Sequence, residues 1–196
     1  MRLIIVRHGE TEENLAGIIQ GHLPGKLSAK GLLQAQKAAE WLKDENIDII
    51  YSSDLARAAD TATIIAHFHP NVPLLFTKQL RERFLGTLQG KQRPEVFENG
   101  KMLFDKLNSD DSETRENLNQ RAQQFYHKIL LKHSHHTVLI VGHNGINKAL
   151  LRTIINKDDK AYKSVDILHN TSISIFKIDS SKHYVTILLN SKKHLL

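Results

Sequence analysis

Apolar residues recur along the chain in two rhythms. Short, nearly unbroken apolar runs at Arg2 to Val6, Ile47 to Tyr51, Leu74 to Thr77 and Thr137 to Val141 have the length of strands. Between them the apolar positions fall at helical spacing. Ser28 ahead of Leu32, Ala35, Ala39 and Leu42 predicts a capped helix that buries those four side chains. Asp54 ahead of Ala58, Ala62, Ile65 and Ala66 predicts a second capped helix. Leu118, Ala122, Phe125 and Ile129 mark a longer helix over 117–132, and 146–155 reads as another. A helix is also expected over 95–107, with a polar break at 108–111. Residues 171–178 and 183–189, joined by the polar turn 179–182, predict an antiparallel pair, and the tail from Ser191 is expected to fray at the surface. This alternation of strand and helix predicts an α/β fold with a largely parallel sheet, built as one domain over residues 1–196.

Composition narrows the possible chemistry. With no cysteine in 196 residues, disulfides, thiolate catalysis and cysteine-based zinc sites are excluded. No apolar run approaches the ~20 residues of a membrane span. The first strand starts at Arg2 and leaves no room for a leader, so a cytoplasmic protein is expected. The formal charge of +6 reads most simply as a solvated surface. It also suits attraction of small anions by the field of the whole protein. No basic stretch carries the aromatic residues that stack on bases, so a nucleic-acid partner is not expected. The cluster His133, His135 and His136 lies between a helix and a strand with no carboxylate beside it, and reads as a solvated turn rather than a metal site.

The polar residues that stand out follow the strands. Arg7 and His8 follow the first, Ser52 to Arg57 the second, Arg81 and Glu82 the third, and Gly142, His143 and Asn144 the strand at 137–141. In open α/β sheets ligands bind outside the carboxyl ends of parallel strands, so these residues converge on one edge. Two arginines and two histidines make a cationic pocket suited to phosphate oxygens. No carboxylate pair is placed to hold a metal. Arg7, Arg57 and His143 can hold a phosphoryl group, and His8 can attack phosphorus as a covalent nucleophile. Glu82 can protonate the leaving oxygen and then deprotonate a water.

These residues resemble the histidine phosphatase superfamily, also called phosphoglycerate mutase-like, over nearly the whole chain. Arg7-His8-Gly9-Glu10-Thr11 is similar to the motif of the first histidine, and Asn14 with Gln20-Gly21 to the loop after it. Leu27-Ser28-Ala29-Lys30-Gly31 resembles the following helix start. Ser52-Ser53-Asp54-Leu55-Ala56-Arg57-Ala58 with Thr61-Ala62 resembles the segment of the second arginine. Leu80-Arg81-Glu82 with Gly86 and Gly90, Val141-Gly142-His143-Asn144-Gly145, and Asn170-Thr171-Ser172 resemble three later motifs. The resemblance implies a three-layer α/β/α sandwich with a mostly parallel central sheet. It implies a phosphohistidine on His8, catalytic roles for His8, Glu82, Arg7, Arg57 and His143, and a metal-independent phosphomonoester hydrolase that needs no cofactor. Substrate binding falls to Arg7, Asn14, Gln20, Gly21, Arg57, Glu82, His143 and Asn144. The expected partner is a small phosphorylated metabolite, with a homodimer as a further expectation.

The chain departs from the family pattern in two places. Gln89 stands where the family often has glutamate, so a rim contact is expected to be lost, and Asn144 replaces the commoner glycine. The segment 111–121 resembles its family counterpart only loosely and is where specificity is expected to lie; the role of 84–116 in specificity is left open. Each residue also has a plain structural reading. His8 can be a strand-end histidine, Arg57 an exposed helix residue, and Glu82 part of a surface charge run with Arg81 and Arg83. His143 can be a helix cap, and Asn14 and Gln20 ordinary loop residues. Two other functions share the same residues: a cofactor-dependent phosphoglycerate mutase and a non-catalytic phosphate-binding module. In the family, mutases carry a longer insertion between the acid and the second histidine. The compact stretch here favours water as acceptor.

Overall fold

The computed structural model describes residues 1–98, 101–102, 111–155, 167–181 and 183–196. Its strands are β1 (Arg2–Arg7), β2 (Ile49–Ser53), β3 (Leu74–Thr77), β4 (Phe97–Glu98), β5 (Lys101–Met102), β6 (Thr137–Gly142), β7 (Ile173–Ile178) and β8 (Tyr184–Ser191). Its helices are α1 (Glu12–Leu15), α2 (Ala29–Leu42), α3 (Ala56–Ala66), α4 (Arg93–Val96), α5 (Arg115–Lys132) and α6 (Asn144–Ile154). Six strands form one sheet in the order β3-β2-β6-β1-β7-β8. The four strands β3, β2, β6 and β1 run parallel, and β7 and β8 are antiparallel additions at one side.

Strand alternation divides the core into two. Leu3 and Ile5 of β1 face one side, where Val138, Ile140, Tyr51 and Phe176 meet Leu118, Phe125 and Ile129 of α5 and Ile146, Leu150 and Leu151 of α6. Ile4 and Val6 face the other, where Ile50, Leu139, Val141 and Ile175 meet Ala39 and Leu42 of α2 and Ala58, Ala62 and Ile65 of α3. Each fully buried aliphatic side chain contributes roughly 1.5–3 kcal/mol. Both faces of the sheet are thus covered, which makes a three-layer α/β/α sandwich with a mostly parallel centre.

Several local expectations change on contact with the third dimension. Ser28 does cap α2, accepting from the Gly31 N–H at 3.0 Å. Leu32, however, is 46% exposed, and Ala35, Ala38, Ala39 and Leu42 carry the buried face. Asp54 caps nothing: Leu55 occupies the cap of α3 without a side-chain bond, and Asp54 pairs with Arg81 at 2.6 Å. The Arg81 guanidinium holds the Asp54 carboxyl below its ordinary range. Of the helix expected over 95–107, residues 95–96 end α4, and β4 and β5 pair as a small hairpin. Its remaining residues lie outside those described. His133 is buried rather than solvated, 3.0 Å from the Tyr51 hydroxyl and in ring contact with His136. The tail does not fray. Lys193–Leu195 form a 3-10 turn seated on α2, where the Leu195 carbonyl accepts from Lys37 Nζ at 3.3 Å. Among the described residues no helix is long and apolar enough to cross a membrane.

Candidate active site

The carboxyl ends of β1, β2, β3 and β6 deliver their side chains to one cavity of about 230 Å³. Arg7, His8, Asn14, Gln20, Gly21, Arg57, Glu82 and Asn144 line it, together with Arg83, Arg93, Leu85, Ile18, Ile19, Gly145 and Ile167. His143 lies behind His8, with ring centroids 5.1 Å apart. The catalytic and substrate-binding residues expected from the sequence therefore meet in one place, while Arg81 is not among the lining residues.

His8 is 3% exposed. Its Nδ1 lies 2.7 Å from the Gly9 carbonyl oxygen. A carbonyl can only accept, so Nδ1 carries the proton and Nε2 the lone pair. Burial, and then the charges of Arg57 and Arg7, hold the imidazole pKa well below its ordinary value. The ring is therefore neutral across the neutral range, with its lone pair on Nε2.

His143 is held by a residue that the sequence pattern did not single out for a role. Its Nε2 lies 2.8 Å from Ser53 Oγ at the end of β2. Ser53 Oγ also accepts the Leu55 N–H at 3.2 Å. His143 Nδ1 is buried and has no protein partner. His143 sits at the cap position of α6, yet its side chain caps nothing. Burial, then Arg57, then His8, hold its pKa well below the ordinary value.

The two arginines are braced by main-chain carbonyls. Arg57 is 1% exposed, and its terminal nitrogens donate to Leu23 O and Gly21 O, both at 2.8 Å. Arg7 NH1 donates to Leu168 O. Each keeps a buried Nε without a protein partner. Burial is the main cause that pushes both guanidinium pKa values down to about 10. Both still carry full charge near neutrality. Stacking this much positive charge in a closed place is costly unless an anion joins it.

Glu82 faces this group across the cavity. Its Oε1 accepts the Arg83 N–H at 2.8 Å and its Oε2 the Gly145 N–H at 2.9 Å. Its main-chain oxygen accepts from Arg121 at 3.3 Å and contacts His22 Nε2 at 2.7 Å. Arg121 also donates to Gln79 O and Arg81 O, so one side chain from α5 pins the whole approach to Glu82. His22 and Arg121 carry no motif of their own, and only the fold shows their use. Because Arg81 is committed to Asp54, the three residues do not form a surface charge run.

The remaining residues shape the walls. Thr11 caps α1 and accepts the Asn14 N–H at 3.1 Å, while Asn14 Oδ1 accepts from Asn170 at 3.3 Å. Gln20 Nε2 donates to Thr11 Oγ1 at 2.9 Å. Gly21 has φ +52, a conformation that suits glycine and turns its carbonyl onto Arg57. Asn144 Oδ1 accepts the Leu168 N–H at 3.0 Å. Gln89 Oε1 accepts the His22 N–H at 2.6 Å. Among the described residues no group of three His, Asp or Glu side chains is placed to hold a metal ion.

The family pattern of the histidine phosphatase superfamily (branch 1) matches residues 3–191. The chain belongs to that superfamily. Metal-independent phosphoserine phosphatase of Arabidopsis thaliana is 34% identical over 92% of this chain and 77% of its own length. Phosphoglycerate mutase-like protein 4 of the same plant is 32% identical over 98% of this chain and 86% of its own. The phosphoserine phosphatase of Entamoeba histolytica, solved in complex with 3-phosphoglyceric acid, is 30% identical and superposes with a TM-score of 0.81. That match covers 100% of this chain and 99% of the solved one.

Proposed function

We propose that this histidine phosphatase is a metal-independent phosphomonoester hydrolase that works through a phosphohistidine on His8. The observation that carries the reading is the state of His8: neutral, with its proton held on Nδ1 by the Gly9 carbonyl and its lone pair on Nε2, near the charges of two buried arginines. The Nε2 lone pair attacks phosphorus as the ester P–O bond breaks. Glu82, in its acid form, gives its proton to the leaving oxygen. Arg7, Arg57 and His143, each with a buried nitrogen that has no protein partner, hold the equatorial oxygens. A water then attacks the phosphohistidine, Glu82 takes its proton, the N–P bond breaks and inorganic phosphate leaves. Asn14, Gln20, Gly21 and Asn144 hold the walls in place around the substrate.

The lining also supports a substrate class. Arg83 and Arg93 join Arg7, Arg57 and Glu82 in the lining. A small phosphomonoester with a second acidic group, such as a carboxylate, suits a lining of guanidinium groups. Phosphoserine and 3-phosphoglyceric acid, the ligands named for the Entamoeba relative, have that chemistry. The proposal takes residues 1–196 as one domain. It also includes a homodimer, supported by Leu75 and Phe76, which stand 42% and 51% exposed on the edge strand β3.

The test is phosphate release from a panel of phosphomonoesters after dialysis against excess EDTA. Activity is expected to survive chelation and to favour substrates with a carboxylate. Activity lost to EDTA and restored by Mg²⁺ would overturn the mechanism. Phosphoryl transfer to an added hydroxy acid in preference to water would make the protein a mutase.

A further inference from the structure

The turn His169–Ser172 carries a strained residue that the proposed chemistry does not use. Ser172 N–H donates to His169 O at 3.0 Å, which closes a four-residue turn. Its third residue, Thr171, is fully buried and has φ +52. A positive φ at that position lies in the left-handed region, which favours glycine or asparagine there. A β-branched residue in that conformation is an outlier that its surroundings must enforce.

The strain has a consequence for His8. The N–H of the strained Thr171 faces the end of β1. It donates to the His8 carbonyl oxygen at 3.2 Å. Asn170 Nδ2 donates to the same oxygen at 3.1 Å. On the other edge of that same peptide, Gly9 N–H donates to Thr61 Oγ1 at 3.1 Å. The peptide between His8 and Gly9 is thereby held on both sides. The next carbonyl, that of Gly9, receives the His8 Nδ1 proton. The direction of the imidazole is thus set by a backbone that Thr171 helps to clamp.

The support for Thr171 comes from the end of the chain. Thr171 Oγ1 lies 3.1 Å from His194 Nε2. His194 sits in the 3-10 turn Lys193–Leu195, which Lys37 anchors through the Leu195 carbonyl, with the Trp41 ring 6.5 Å from the His194 ring. We infer that His194 is a positioning residue for the nucleophile: through Thr171 it holds the strained turn that fixes the His8–Gly9 peptide and so aims His8 Nε2. The C-terminal tail is, on this view, part of the catalytic architecture, although it touches no substrate.

This inference rests on the phosphohistidine reading of His8, and the experiment separates the two. Wild type, His194→Ala, His194→Gln, Thr171→Gly and Thr171→Gly/His194→Ala are mixed with p-nitrophenyl phosphate and acid-quenched on the millisecond scale. Each variant is first checked for a cooperative melt. In His194→Ala the rate of phosphoenzyme formation is expected to fall about tenfold with KM unchanged, because the binding groups stay while the attacking atom loses its aim. His194→Gln, which keeps a side-chain amide toward Thr171, recovers most of the rate. Glycine adopts the positive φ without help, so in the Thr171→Gly background the His194→Ala change has no further effect. Wild-type phosphoenzyme together with an unimpaired His194→Ala overturns the inference alone. So does a tenfold loss that persists in the Thr171→Gly background, which marks a general loosening of the tail. A wild type that forms no acid-labile phosphoenzyme removes the phosphohistidine reading, and the inference with it.

Discussion

Glu82 and Gly145 are fitted to each other. The Gly145 N–H donates to Glu82 Oε2 at 2.9 Å, and a methyl group on residue 145 would overlap Oε1. With the Arg83 N–H on the other oxygen, two amides from separate elements hold one carboxylate at the cavity. Residue 145 lies in the first turn of α6, where its φ is not in the positive region, so glycine is there for closeness and not for conformation.

Gly145→Ala therefore separates activity from stability. Alanine favours a helix over glycine by up to about 1 kcal/mol, so the melting temperature is expected to hold or rise. The added methyl displaces the Glu82 carboxylate, and hydrolysis of alkyl phosphates is expected to drop at least about tenfold, a part of what a general acid contributes. Calorimetry beside steady-state kinetics decides it. A variant with wild-type turnover would count against Glu82 as proton donor.

His8→Ala is expected to abolish turnover while the protein still melts cooperatively. The imidazole lies among polar neighbours at the end of β1, outside both apolar cores. Acid-labile phosphate should be trapped on wild type and not on the variant. Label on another residue, or substantial remaining activity, would remove His8 from the nucleophile's place.

Glu82→Gln is expected to slow alkyl phosphates far more than aryl phosphates. An alkoxide needs its proton as the P–O bond breaks, and a placed acid typically contributes ~10²–10⁴-fold. A nitrophenolate leaves unaided, so the first step with an aryl ester is spared. Water must still be activated in the second step, so phosphoenzyme should build up with the aryl substrate. Burst kinetics on both esters make the comparison. Equal, small effects would leave the proton donor elsewhere.

Stability is expected to fall as pH drops below 6.5. Burial is the leading cause that lowers the pKa of His8, His143, His22, His69, His133, His169 and His194. In the unfolded chain these groups take protons near 6.5, while in the native state they resist. Below 6.5 the unfolded state therefore binds more protons, and stability falls with falling pH. For His194 the window runs from 6.5 down to about 4. Urea midpoints at pH 5, 6, 7 and 8 test the sign. A flat profile between 7 and 5 would mean that these histidines are solvated.

The order of the six strands of the main sheet and of the helices α2, α3, α5 and α6, the two-sided sheet and the gathering of Arg7, His8, Arg57, Glu82 and His143 at one edge are legible in the sequence. Each depends on a local period or on a polar residue that directly follows an apolar run, and a parallel sheet converts that position into convergence. Other features depend on partners far away in the chain. Asp54 has the right type and place to cap α3, but Arg81, 27 residues on, binds it more strongly as a bidentate pair. Leu32 fits the helical stripe, but the face of α2 turned to α3 is the one lined with alanine, and Leu32 is left outside. His133 reads as a loop residue until the Tyr51 hydroxyl from β2 meets its ring. Ser53, Arg121 and His194 sit in no periodic pattern, and their bonds to His143, the Glu82 backbone and Thr171 span 90, 39 and 23 residues. The sequence by itself determined which elements form and which side chains reach the edge of the sheet, because those follow from neighbours within a few residues. Only the tertiary structure decided how each of those side chains is aimed, because aim is set by single hydrogen bonds between segments that meet only when the chain is folded.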